Sequence, residues 1–125
     1  MPVRKPLVAG NWKMNGSSAS NKILLDGILT QAKSFSSAEV ALFPPAVYLQ
    51  QVQSALTGTN LSWGTQNLSQ FKHGAYTGEI SAPMLNDFSC KYVLIGHSER
   101  RCLYAEIGLD QLVLDYIIAE KYSMA

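Results

Sequence analysis

Apolar and polar positions follow two patterns along this chain. Short apolar runs, Leu7 to Gly10, Val40 to Phe43, Leu61 to Gly64 and Tyr92 to Ile95, read as strands covered on both faces. Between them the apolar positions fall at helical spacing. Ile23, Leu24, Gly27, Ile28 and Ala32 form one stripe with Asn21, Lys22, Thr30 and Lys33 off it, and Ser20 is the expected N-cap. Pro44-Pro45 ends the second run, since proline cannot donate to a strand ladder. Val47, Leu49, Val52 and Leu56 predict a short helix that stops before Gly58. Ser81 with Pro83 in the first turn predicts another, ending near Phe88. Leu109, Leu112, Val113, Tyr116 and Ile117 predict an amphipathic helix from about Asp110.

Strands alternating with helices predict an α/β fold with a parallel sheet and right-handed crossovers, here as four strand-helix units. Residues 1–125 are expected to form one domain, with no linker, repeat or low-complexity segment. Two of the runs end in polar clusters: Leu7-Val8-Ala9-Gly10 in Asn11-Trp12-Lys13, and Tyr92-Val93-Leu94-Ile95-Gly96 in His97-Ser98-Glu99-Arg100-Arg101. The carboxyl ends of parallel strands are where such folds keep their chemistry, so the two clusters suggest one shared site.

Composition narrows the classes. With 47% hydrophobic and 15% charged residues in 125, the chain has material for one packed core. A net charge of +1 gives no reason to expect nucleic acid or an anionic membrane as partner. Cys90 and Cys102, not in a Cys-x-x-Cys pair, suit a reducing compartment. The basic start lacks an apolar segment of signal-peptide length, and no run reaches the ~18 apolar residues of a membrane span. A soluble cytoplasmic protein is expected. No metal-ligand spacing and no glycine-rich dinucleotide loop is present, so no metal and no cofactor is expected.

Three motifs carry a resemblance. Ala9-Gly10-Asn11-Trp12-Lys13-Met14-Asn15, Gly74-Ala75-Tyr76-Thr77-Gly78-Glu79-Ile80-Ser81 and Ile95-Gly96-His97-Ser98-Glu99-Arg100-Arg101 with Glu106 resemble the first, third and fourth strand-end loops of triosephosphate isomerases. The resemblance covers about residues 5 to 106; Ala105 stands where the family usually has glycine, and residues 107–125 match weakly. It implies parallel (β/α) units of a TIM barrel, four of the family's eight, since that barrel has roughly 250 residues. The family's glutamate base, lid loop and most of its phosphate site would lie on the half not present in these residues.

The resemblance also implies roles. Isomerising a triose phosphate needs a base beside a carbonyl, an electrophile to polarise it and donors for the phosphate. This family is itself the standard example of a neutral histidine electrophile beside a glutamate base. His97 matches the electrophile, with the amides of the following helical turn disfavouring an imidazolium. Lys13 matches the substrate-binding ammonium and Asn11 the amide that orients substrate and lysine. Glu99 is expected beside the site, paired with Lys13 or Arg100, and Ser98 near where the absent base would sit. Arg100, Arg101 and Glu106 are expected to tie the loop down through ion pairs. Thr77 matches the residue that reaches into the neighbouring subunit of a dimer; an exposed turn at Tyr76-Thr77-Gly78 is the plainer alternative. His73 is expected at the surface, and Trp12, Trp63, Tyr92, Cys90 and Cys102 in packing.

The expected activity is interconversion of dihydroxyacetone phosphate and glyceraldehyde 3-phosphate in central carbon metabolism. Without the base, these 125 residues alone are expected to be nearly inactive. Two other readings stay open: a non-catalytic half barrel that self-associates, and a phosphosugar-binding module that keeps Lys13. Whether the chain is part of a longer enzyme or a half barrel in its own right is also open at this point.

Overall fold

A computed structural model describes residues 3–104. The helix expected from about Asp110, together with Glu106 and the rest of residues 107–125, lies outside the described residues.

Strands β1 (Leu7–Asn11), β2 (Glu39–Phe43), β3 (Leu61–Thr65) and β4 (Tyr92–Val93) form one parallel sheet in chain order. Register is set by Ala9 opposite Ala41, Leu42 opposite Trp63 and Thr65 opposite Val93. The crossovers carry α1 (Ser18–Gln31), α2 (Leu49–Leu56) and α3 (Ala82–Asn86), and α4 (Ser98–Leu103) follows β4. The four predicted strands are therefore present, the first three each one residue longer and the fourth ending at Val93.

The main core lies between the sheet and the helices. Leu25, Leu42, Val52, Leu56, Leu61 and Trp63 form its centre. Successive strand residues point to opposite faces. Leu42 therefore joins the helix side, while its neighbours Ala41 and Phe43 turn to the concave side, where the Phe43 ring meets Tyr92 at 6.4 Å. Gly64 of β3 lies between the Phe43 ring and the Tyr92 backbone: a Cβ there would run into the Tyr92 carbonyl oxygen and come within 2.9 Å of Phe43 Cε1. Trp63 is core as expected, with its indole N–H donating to Phe88 O at 2.7 Å.

Two local expectations for α1 change. Its N-cap is Ser17, with Ser20 as the reciprocal partner: the Ser20 amide donates to Ser17 Oγ at 3.1 Å and the Ser17 amide to Ser20 Oγ at 3.0 Å. Two serines three apart make a capping box, so the helix starts one turn earlier than Ser20 as cap would allow. The buried face is also rotated. Asn21, Leu25 and Ala32 are buried, whereas Ile23 and Leu24 are 75% and 47% exposed. The cause is a polar residue used as core: Asn21 Nδ2 donates to Gln51 Oε1 at 3.0 Å while Gln51 Nε2 donates to Ser18 O at 2.8 Å. A hydrogen-bonded amide pair can be buried where an unpaired one could not. Val47, expected on the inner stripe of the second helix, instead lies in a 3₁₀ turn (Ala46–Tyr48) and is 82% exposed.

Candidate active site at the carboxyl rim of the sheet

The end of β1 and the turn after β4 meet at one hollow of about 220 Å³. Asn11, Lys13, Gln66, His97, Glu99 and Arg100 line it. The two polar clusters do share a site, because β1 and β4 both end at this rim of a common parallel sheet.

Each side chain is placed by backbone. Asn11 closes β1, and its Oδ1 accepts the Lys13 amide at 2.9 Å. That bond helps hold Lys13 at φ 57, a left-handed conformation that costs a non-glycine residue about 1 kcal/mol or more. The Lys13 carbonyl accepts Gln66 Nε2 at 2.8 Å, and the same nitrogen donates to Phe43 O at 2.9 Å. Gln66 thereby ties the strained turn after β1 to the end of β2. The sequence reading missed this residue, although it stands directly after β3, the position that pointed to Asn11 and His97.

The Lys13 ammonium pairs with Glu99 Oε1 at 2.6 Å, so Lys13 rather than Arg100 is the Glu99 partner. Hydrogen bonding to Lys13 holds the Glu99 carboxyl below the ordinary carboxylate value. An ammonium has three N–H donors, which leaves donors to turn toward an anion in the hollow. His97 caps α4, with Nδ1 accepting the Glu99 amide at 3.1 Å. Glu99 Oε2 lies 3.8 Å from the same Nδ1, too far for a hydrogen bond, and an Nδ1 that accepts an N–H carries no proton. The proton of the neutral ring therefore sits on Nε2.

Ser98 is exposed and does not line the hollow, and Thr77 lies on the exposed tip of the loop between β3 and α3. Arg101 Nε donates to Gly96 O at 2.9 Å, and the Arg100 guanidinium lies 5.3 Å from the centre of the Tyr104 ring. His73 is exposed. Cys90 is half-buried, and burial pushes its thiol up to about 11, which suits packing and not nucleophilic chemistry. Cys102 is exposed and unpaired in any disulfide. Among the described residues no cluster of His, Cys, Asp and Glu could hold a metal ion, and no helix is long and apolar enough to cross a membrane.

The sequence model of the family described as triosephosphate isomerase matches residues 6–118. A triosephosphate isomerase of Nitrosococcus oceani is 50% identical over 123 residues, covering 98% of this chain and 48% of the relative. One from Coxiella burnetii is 54% identical over 103 residues, covering 82% of this chain and 40% of the relative. The crystal structure of the Bartonella henselae triosephosphate isomerase superposes with a TM-score of 0.80 at 37% identity, covering 98% of this chain and 47% of that one. The chain thus spans about half the length of the relatives it matches. Its four parallel strands form a curled half of the (β/α) barrel.

Proposed function

Since the chain belongs to the triosephosphate isomerase family, we propose that its rim hollow is the strand-one and strand-four part of an isomerase site. The reaction interconverts dihydroxyacetone phosphate and glyceraldehyde 3-phosphate. A base takes the proton from the carbon beside the carbonyl, an enediolate forms, and the proton returns to the neighbouring carbon. In this reading His97 donates from Nε2 to the oxygen that gains charge. The observation that carries the assignment is the His97 Nδ1 bond to the Glu99 amide, which fixes the tautomer that can donate. Lys13 offsets phosphate and enediolate charge. Asn11 orients Lys13, Glu99 positions the ammonium through their ion pair at the hollow, and Ser98 stands near the place of the base.

No residue of this chain corresponds to the glutamate base in the motifs that carry the resemblance. The 125-residue chain alone is therefore proposed to bind triose phosphate weakly and to turn it over little. Loss of a general base costs about 10²- to 10⁴-fold. An isomerase assay tests this: turnover near that of a full-length relative refutes it. Calorimetry with dihydroxyacetone phosphate tests the binding half, with heat expected for the parent and none for Lys13→Ala. No cofactor enters this reaction. The proposed setting is glycolysis and gluconeogenesis in the cytoplasm.

Assembly is the second part of the reading. Among the described residues β1 pairs only with β2, and Leu7 and Val8 are 47% and 56% exposed on it. An open apolar edge of this kind pairs with further strands. A homodimer with the Thr77 tip in the contact is proposed, and a self-associating half barrel is the form it takes if catalysis is absent. Sedimentation over micromolar concentrations checks this; a folded monomer throughout refutes it.

A further inference from the structure

The loop between β3 and α3 is closed on itself. At its base the Ser69 amide donates to Ile80 O at 2.7 Å, and Ser69 Oγ accepts the Phe71 amide at 3.1 Å. Near the tip the Tyr76 amide donates to Gly74 O and the Glu79 amide to Tyr76 O, both at 3.0 Å. Gly74 is at φ 131, and a Cβ on it would come within 2.9 Å of Tyr76 Cε2, so the ring lies directly over the glycine. Phe71 is stacked on that ring, with centroids 4.1 Å apart and planes within 4°.

Both rings remain about two-fifths exposed, Phe71 at 41% and Tyr76 at 43%, and neither belongs to the main core. Stacking so far from the core does little for the domain as a whole. Its effect is local: it holds Tyr76, and with it the backbone of Thr77 and Gly78, in one shape. A tip fixed in advance loses less conformational freedom when a partner covers it.

We infer that Phe71 is a positioning residue for association: stacked on Tyr76, it braces the 76–78 tip for reception by a second copy of the chain. This rests on the proposed contact at Thr77. Stacked aromatic pairs contribute beyond their buried area, so Phe71→Ala is expected to weaken self-association about tenfold. Phe71→Leu, apolar but unable to stack, should behave like Phe71→Ala, and Phe71→Tyr should restore the parent affinity. Sedimentation equilibrium reads the affinity, amide exchange reads the order of residues 74–79, and the denaturation midpoint of the diluted chain should stay unchanged. A Phe71→Leu variant that associates as tightly as the parent, or unchanged exchange at the tip in Phe71→Ala, overturns the bracing role. A parent chain that remains monomeric, with exchange at the tip faster in Phe71→Ala, refutes the Thr77 contact and with it the second copy as partner.

Discussion

Both ends of this sheet hold a lysine–glutamate pair, and the two pairs are built differently. At the amino end Glu39 spends both carboxylate oxygens: Oε1 takes Lys91 at 2.9 Å and Oε2 takes the Tyr92 hydroxyl at 2.6 Å. That cluster joins the start of β2 to the start of β4 across β3. At the carboxyl rim the Lys13–Glu99 pair is as short, but its lysine sits on a left-handed turn beside an open hollow. One arrangement is complete in itself and works as a clamp. The other carries backbone strain and borders the hollow proposed to take a charged ligand. In barrels of this kind the amino end serves stability and the carboxyl end chemistry, and the proposed site lies at the carboxyl end.

The largest expected effect breaks both ends together. Gly64→Ala places a methyl group against the Tyr92 carbonyl, at the contact of β3 with β4 on which each cluster depends. It should cost about 3 kcal/mol in denaturant unfolding, and a variant as stable as the parent would show that β3 and β4 are spaced otherwise.

Gln66→Ala separates the ends. It removes a hydrogen bond to each of the Lys13 and Phe43 carbonyls, so it should cost about 1 kcal/mol of stability. It should also weaken dihydroxyacetone phosphate binding about tenfold, roughly 1.4 kcal/mol, by releasing the Lys13 turn. Loss of stability with unchanged calorimetric affinity would make Gln66 a purely structural tie.

Lys13→Gly sharpens the contrast further. Glycine tolerates the left-handed turn, so the variant should gain about 0.5 kcal/mol while losing triose phosphate binding. Ser89, at φ 55 away from the hollow, is the control: Ser89→Gly should gain a similar amount and bind as the parent does.

The smallest effect is in pH. The Tyr92 hydroxyl and then the Lys91 ammonium hold the Glu39 carboxyl below its ordinary 4.5. That contribution is complete above the ordinary value and is lost as pH falls through the lowered one. Tyr92 is raised above its ordinary 10.0, chiefly by donating to Glu39, so its contribution is present below that value and fades as pH climbs through the raised one. Thermal midpoints should therefore sag at both extremes, and Glu39→Gln should flatten both arms. Lys13→Ala, acting through the lowered Glu99, should blunt the acid arm alone. An alkaline arm that survives Glu39→Gln would assign it elsewhere.

The strands and the candidate site were legible for one reason: strands of a parallel sheet leave unbroken apolar runs, and the polar residues that end them stand out. This holds even in β1, where Leu7 and Val8 are exposed instead of covered on both faces as expected. The α1 face was less legible because Asn21 is buried through Gln51, thirty residues away, which local periodicity does not register. The Ser17 cap hid among several serines, any of which has the right chemistry. Tyr92 read as simple packing; its hydroxyl partner Glu39 is adjacent only once β3 lies between them. Gln66 was missed because glutamine is unremarkable in chemistry, and its importance comes from two carbonyls that the fold delivers to it.

The order β1-β2-β3-β4 means that each strand finds its partner in the unit made just before it. Among the described residues no pairing inside the sheet waits for a distant stretch of polypeptide. As the chain leaves the ribosome, every new strand-helix unit can be laid onto a finished one, so the sheet grows like a course of bricks and its exposed border is always the most recently added strand and the first.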